Sequence, residues 1–226
     1  MRWVTYLSPS GGEERSGVVD DGCVFGYPGA QSVPELLEKD RDALADAYHK
    51  ALAAPVEIIV EFETRLCAPV RPERSVPAHV DGAWTQVAPA LVRGTDDGVL
   101  LPAGVSALTA AVGVMALFGG QGRHAGYTPA CLWRTLEGDP VTLSVGPAIV
   151  THDEFDGSPL CVEAGVEGRT LARAELDGGL GWAAGTDSGF TAAALPAGTR
   201  PLEPGEELFV DGGRLGEFEM RVGAGA

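Results

Sequence analysis

The chain has 226 residues, 32 of them acidic and 16 basic, for a formal charge of −16 at neutral pH. That balance excludes a binder of nucleic-acid backbones, which needs a basic face. Apolar residues make up 45%, enough for a core, while 32 glycines and 16 prolines without a collagen period favour short strands joined by turns over a helical bundle. Lys39 and Lys50 are the only lysines, so nothing beyond residue 50 can form a Schiff base or serve as a phosphate-loop lysine.

In chain order, residues 2–7 (RWVTYL) read as a strand, and Asp21-Gly22 between apolar runs reads as a hairpin turn. Ser32, Pro34 and Glu35 form a capping-box signature. Leu36, Leu37, Leu44, Ala47, Tyr48, Ala51 and Leu52 then recur at helical spacing, which predicts one helix ending near Pro55. Strand patterns resume over 57–63 and 65–70, and Arg71-Pro72-Glu73-Arg74 reads as a linker. These signals predict a small α/β domain over 1–70 and a glycine-rich, mostly β domain over 71–226. In the second, strand runs are expected at 90–93, 99–102, 106–118, 141–151, 160–166, 169–176 and 207–210, with a hairpin at Glu167-Gly168. The uncharged span 98–122 is long enough to cross a bilayer, but Pro102, Gln121 and six glycines make it a buried strand plus loop. No membrane contact is expected. Cys23, Cys67, Cys131 and Cys161 show no CxxC spacing and read as free buried thiols. The amino terminus lacks an apolar signal region, so a cytoplasmic protein is expected.

The segments MRWVTYLSPSGGEERSGVVDDG, RLCAPVRPERSV, LVRGTDDGVLLP, VGPAIVTHDEFDG, VEAGVEGRTLARAEL and RPLEPGEELFV, taken in this order, resemble the fumarylacetoacetate hydrolase family. The resemblance implies an α/β, mostly β fold with a small amino-terminal domain and a mixed β-roll, usually dimeric. It also implies a bound Mg²⁺ or Ca²⁺ and cleavage or decarboxylation of acylpyruvates and related 1,3-dicarbonyl compounds. At the positions resembling the family's Glu-x-Glu pair this chain carries Ala111 and Gly113, and at its further metal-binding aspartate it carries Leu132. Its lysine has no counterpart in EGDPVTLS (137–144). Hard cations need oxygen ligands, so no metal and no cofactor are expected, and the old site is expected to be a vacant apolar chamber.

His79 lies near the place of the family's catalytic histidine and is the acid/base candidate, because imidazole titrates near neutral pH. Arg93 follows an apolar run and needs either a protein carboxylate, Asp96 or Asp81, or a ligand anion. Trp84, Ala111, Gly113, Tyr127, Leu132 and Trp133 are the expected substrate pocket. His49 is a surface residue by this reading, His124 a possible ligand contact, and His152 with Glu154 an alternative metal pair on one strand face. No GxSxG elbow and no dinucleotide fingerprint occur. Three functions remain open: a metal-independent cyclase, isomerase or dehydratase of small, polyketide-like molecules; a pseudoenzyme serving as a ligand-binding or assembly module; and a divergent 1,3-dicarbonyl hydrolase or decarboxylase. The expected partners are a small-molecule substrate and a second copy of the chain.

Overall fold

A computed structural model describes residues 1–155, 158–178, 181–183 and 191–225. The chain opens with β1 (Arg2–Leu7), β2 (Glu14–Asp20) and β3 (Cys23–Gly26). The turn after β2 has φ 45° at Asp21 and 71° at Gly22, the left-handed pair that a two-residue hairpin requires. The predicted single helix is two: α1 (Val33–Leu37) and α2 (Arg41–Ala53). Both halves of the Ser32/Glu35 capping box form at the start of α1. The break falls where Asp40 takes an extended conformation and its Oδ1 accepts the Ala43 N–H at 2.8 Å, a second N-cap that side-chain periodicity does not register.

Then come β4 (Ile58–Val60), β5 (Leu66–Cys67), β6 (Val76–Val80), β7 (Ala83–Val87), β8 (Val92–Gly94) and β9 (Gly98–Val99). The β6–β7 hairpin, turning on Asp81 and Gly82 with φ 51° and 80°, is absent from the sequence reading. Two long strands follow, β10 (Thr109–Phe118) and β11 (His124–Arg134), then β12 (Pro140–Val145) and β13 (Ile149–Thr151). The chain continues through β14 (Leu160–Val166), β15 (Arg169–Leu176), β16 (Thr191–Gly198), β17 (Glu207–Asp211), β18 (Glu217–Arg221) and β19 (Ala224–Gly225).

Among the described residues one mixed sheet runs β4-β3-β2-β1-β13-β11-β10-β16-β6-β7, with β12 beside β11 and β8 parallel to β12. It crosses position 70 without interruption, because β1 pairs with β13 through Arg2↔Val150 and Trp3↔Ile149. One face of β10 and β11 packs with the helices and β16, in a core holding Leu36, Leu37, Leu44, Ala111, Met115, Leu132 and Leu195. The opposite face, bearing Val112, Val114, Tyr127, Cys131 and Trp133, packs on the second sheet, β15-β14-β17-β18. The uncharged span 98–122 thus supplies a central strand buried on both faces. No helix is long and apolar enough to cross a membrane.

Candidate functional site

Strand periodicity decides which expected pocket residues meet. Ala111 pairs with Leu132 across β10 and β11, and both belong to the core on the helix side. Tyr127 and Trp133 lie at odd positions of β11 and belong to the core on the other side. The six expected residues therefore do not share one chamber. Trp84, on β7, is 45% exposed and belongs to neither core.

The interior is filled, not vacant. Ala111, Met115, Ala130, Leu132, Ala193 and Leu195 each have no solvent-accessible surface, so none of them borders a void large enough for water. At Gly113 the backbones of β10 and β16 approach beside a register shift between Val112 and Val114. A Cβ built there would stand 2.0 Å from the Ala194 carbonyl oxygen. No side chain, let alone a carboxylate, fits in this backbone.

That geometry tests the divalent ion that the fold implies. Such an ion needs about six oxygen ligands. On this face of β11 the one buried hydroxyl without a hydrogen-bond partner is Thr128 Oγ1, opposite Met115 in register. Methyl groups and Gly113 occupy the rest, and among the described residues no three His, Cys, Asp or Glu side chains converge on a point. The residues present do not fit a divalent ion.

His79 sits between Ala78 and Val80, whose side chains enter the helix-side core, so its ring points to the opposite face of β6. There it packs against Trp84, its cross-strand partner, with ring centroids 5.2 Å apart. Arg93 lies on β8, and β12, β11, β10 and β16 stand between β8 and β6 in the sheet order. The two catalytic candidates are not brought together. Both proposed protein partners of Arg93 are engaged elsewhere. Asp81 Oδ2 accepts from Arg134 Nη1 at 2.7 Å, and Asp96 Oδ2 accepts the Leu66 N–H at 2.6 Å.

The remaining histidine assignments resolve into packing. His124 lies 4.3 Å from Tyr127 and 4.6 Å from His152 between ring centroids, and its Nε2 is 3.2 Å from the Gly126 carbonyl. Burial, and then the neighbouring His152, push its pKa down to about 4. His152, Asp153 and Glu154 form a single 3₁₀ turn instead of a strand face. Glu154 pairs with the Met1 amine and Asp153 with Arg41, so these acids answer cations of the chain itself. Asp156 lies outside the described residues. Of the cysteines, Cys67 and Cys131 are buried as expected, but Cys23 is half-buried and Cys161 exposed.

Open, polar space lies elsewhere, along the segment read as a linker. Two adjoining clefts share Ala68 and Arg71. One, of ≈ 610 Å³, is lined by Glu14, Glu35, Glu38, Arg71, Arg74 and Thr191 among others. The other, of ≈ 700 Å³, is lined by Arg71, Pro89, Ala90, Val92, Arg93 and Leu100 with Asp97. Sequence reading found Arg93 and passed over Arg71 and Arg74. The available signal was a proline-punctuated pair of arginines in a chain short of bases.

No protein family and no curated protein matches this sequence. Solved structures do match. A maleylpyruvate hydrolase from Sphingobium sp. SYK-6, in complex with manganese(II) ion and pyruvate, superposes with a TM-score of 0.82 at 19% identity, covering 100% of both chains. A fumarylacetoacetate hydrolase from the psychrophile Exiguobacterium antarcticum gives 0.80 at 18% identity over 99% of each chain. A 2-hydroxyhepta-2,4-diene-1,7-dioate isomerase from Mycobacterium marinum gives 0.72 at 18% over 98% of each. The chain therefore has the fold of the fumarylacetoacetate hydrolase-like proteins, in its mixed, mostly β form. Hydrolases and isomerases share that fold, so the reaction must be argued from the site.

Proposed function

We propose that this chain is a metal-independent protein of small-molecule metabolism. In this reading it keeps the hydrolase-like fold but not the metal-assisted cleavage of 1,3-dicarbonyl compounds, and it takes its ligand outside the roll interior. The observation that carries the reading is the closed seam at Gly113, flanked by fully buried Ala111 and Leu132. Of the two metal-independent alternatives, a ligand-binding module is favoured over a shape-driven cyclase, isomerase or dehydratase. The acid/base candidate His79 faces away from the interior and stands apart from Arg93. The enzymatic reading keeps one observation in its favour: Glu14 and Glu38, carboxylates able to take and give protons, line a single cleft with Arg71 and Arg74, which are fixed cations. Homodimerisation and a cytoplasmic site of action complete the proposal, the first to be read by sedimentation velocity.

The test is a mass-spectrometric turnover assay on a panel of acylpyruvates and dienedioates, run with EDTA and with Mn²⁺. The expected result is no metal-dependent product. Cleavage that EDTA abolishes and Mn²⁺ restores would overturn metal independence, whereas isomerised or cyclised product in EDTA would select the enzymatic alternative.

A further inference from the structure

Carboxylates outnumber cationic side chains two to one in this chain, 32 against 16, so an arginine has acids at hand almost wherever it falls. Most arginines use them: Arg65 pairs with Asp97 at 3.5 Å, Arg134 with Asp81 at 2.7 Å and Arg200 with Glu206 at 2.6 Å. Arg93 does not. Its guanidinium donates to the carbonyl of the preceding Val92 at 3.1 Å, and among the described residues it has no ion pair. It faces the ≈ 700 Å³ cleft together with Arg71, which keeps one carboxylate partner, Glu14. Among the described residues the only acid lining that cleft, Asp97, is held by Arg65 and by the Gly94 N–H at 2.9 Å. The cleft is thus locally cationic in a strongly anionic molecule. Its remaining wall is apolar, from Pro89, Ala90, Val92 and Leu100, and Leu100 leaves 65% of its surface uncovered.

We propose that this cleft is a binding site for a small organic carboxylate with an apolar body, its carboxylate held by Arg93 and Arg71 and its body against Leu100 and Pro89. Guanidinium suits a carboxylate because its planar fork donates two parallel hydrogen bonds. The net negative field of the protein repels inorganic anions generally, so an apolar body is what makes binding favourable. The proposal deepens the metal-independent reading, on which it rests, by naming the ligand class.

Isothermal titration with hexanoate, acetate and inorganic phosphate, on the full chain, tests it, and Mn²⁺ is titrated separately. Hexanoate is expected to bind at least tenfold more tightly than acetate, and phosphate not to bind. Arg93→Gln and Arg71→Gln should each weaken hexanoate tenfold or more, and Arg93→Lys should recover part of the loss. Arg169→Gln, on the distant β15, should leave it unchanged. Circular dichroism of each variant establishes that it is folded, and Arg93→Gln, which breaks no ion pair, carries the test if Arg71→Gln unfolds. Equal affinity for acetate and hexanoate, preference for phosphate, or hexanoate binding indifferent to Arg93→Gln would each overturn the site. Micromolar Mn²⁺ binding would overturn the underlying reading instead, and the two failures show in separate titrations.

Discussion

Gly113 is where the backbone leaves least room. A methyl group there would meet the Ala194 carbonyl at 2.0 Å, and that atom belongs to a neighbouring strand instead of a flexible side chain. Gly113→Ala is therefore expected to lose about 3 kcal/mol of stability or more, which for a chain of this size lowers Tm by roughly 6–12 °C. Gly198→Ala, at the exposed end of the adjoining β16 with nothing within 4 Å of its Cβ, should leave Tm unchanged. Thermal melts of the two variants decide the matter; equal melting points would mean the seam opens at little cost. The thiols divide by the same logic of access. Burial holds the Cys131 thiol well above its ordinary range, and burial with Glu14 and Asp97 nearby pushes Cys67 up to about 11. Titration of the native protein with a thiol reagent should modify Cys161 first and leave Cys67 and Cys131 protected until denaturant is added.

At the scale of elements, the ring cluster joining β11 to the turn after β13 carries a pH signature. His124 has its pKa lowered to about 4 by burial and then by His152, with Arg123 adding a smaller effect, against an unfolded value of 6.5. The unfolded chain therefore binds this proton first. The stability tied to neutral His124 is complete above pH 6.5 and is lost progressively as pH falls from 6.5 to about 4. Urea midpoints at pH 7 and pH 5 should diverge for the parent chain and converge for His124→Gln once the common pH dependence is subtracted. The hairpins at Asp21-Gly22 and Glu167-Gly168 and the capping box at Ser32 were legible because each signal is local, two to four residues long, with a single favourable backbone solution. The β6–β7 hairpin turns on the same Asp-Gly chemistry, but Pro77, His79 and Gln86 obscure its alternation, and its partner β16 lies over a hundred residues away. Long-range pairing leaves no local mark.

For the whole molecule, charge is the dominant long-range feature. A net −16 on one compact chain destabilises the folded state by self-repulsion, so raising NaCl from 10 to 200 mM should raise Tm, as ions screen charges beyond roughly 10 Å. A melting point that fell or stayed level would show that local ion pairs such as Arg200–Glu206 outweigh the global term. Because β1 bonds to β13 and the helices share a core with Ala111 and Leu132, calorimetry should record one unfolding transition spanning residues 1–70 and the remainder together.

Composition and local pattern sufficed for the mostly β architecture and the turn chemistry, since each of these is a statement about residue type at a position, whereas reading Ala111, Gly113 and Leu132 as places of absent carboxylates rests on the resemblance to the hydrolase family. Which face each side chain takes was settled only by strand pairing. A one-residue step along β6 or β11 moves a side chain through the sheet, and this separates His79 from Val80 and Trp133 from Leu132. Whether a position between two strands leaves space for a side chain is likewise decided by packing, because interiors are close-packed and a backbone atom cannot yield as a flexible side chain can. Here β10 and β16 meet at Gly113 with no room for a Cβ, while the arginines of an apparent linker line open clefts.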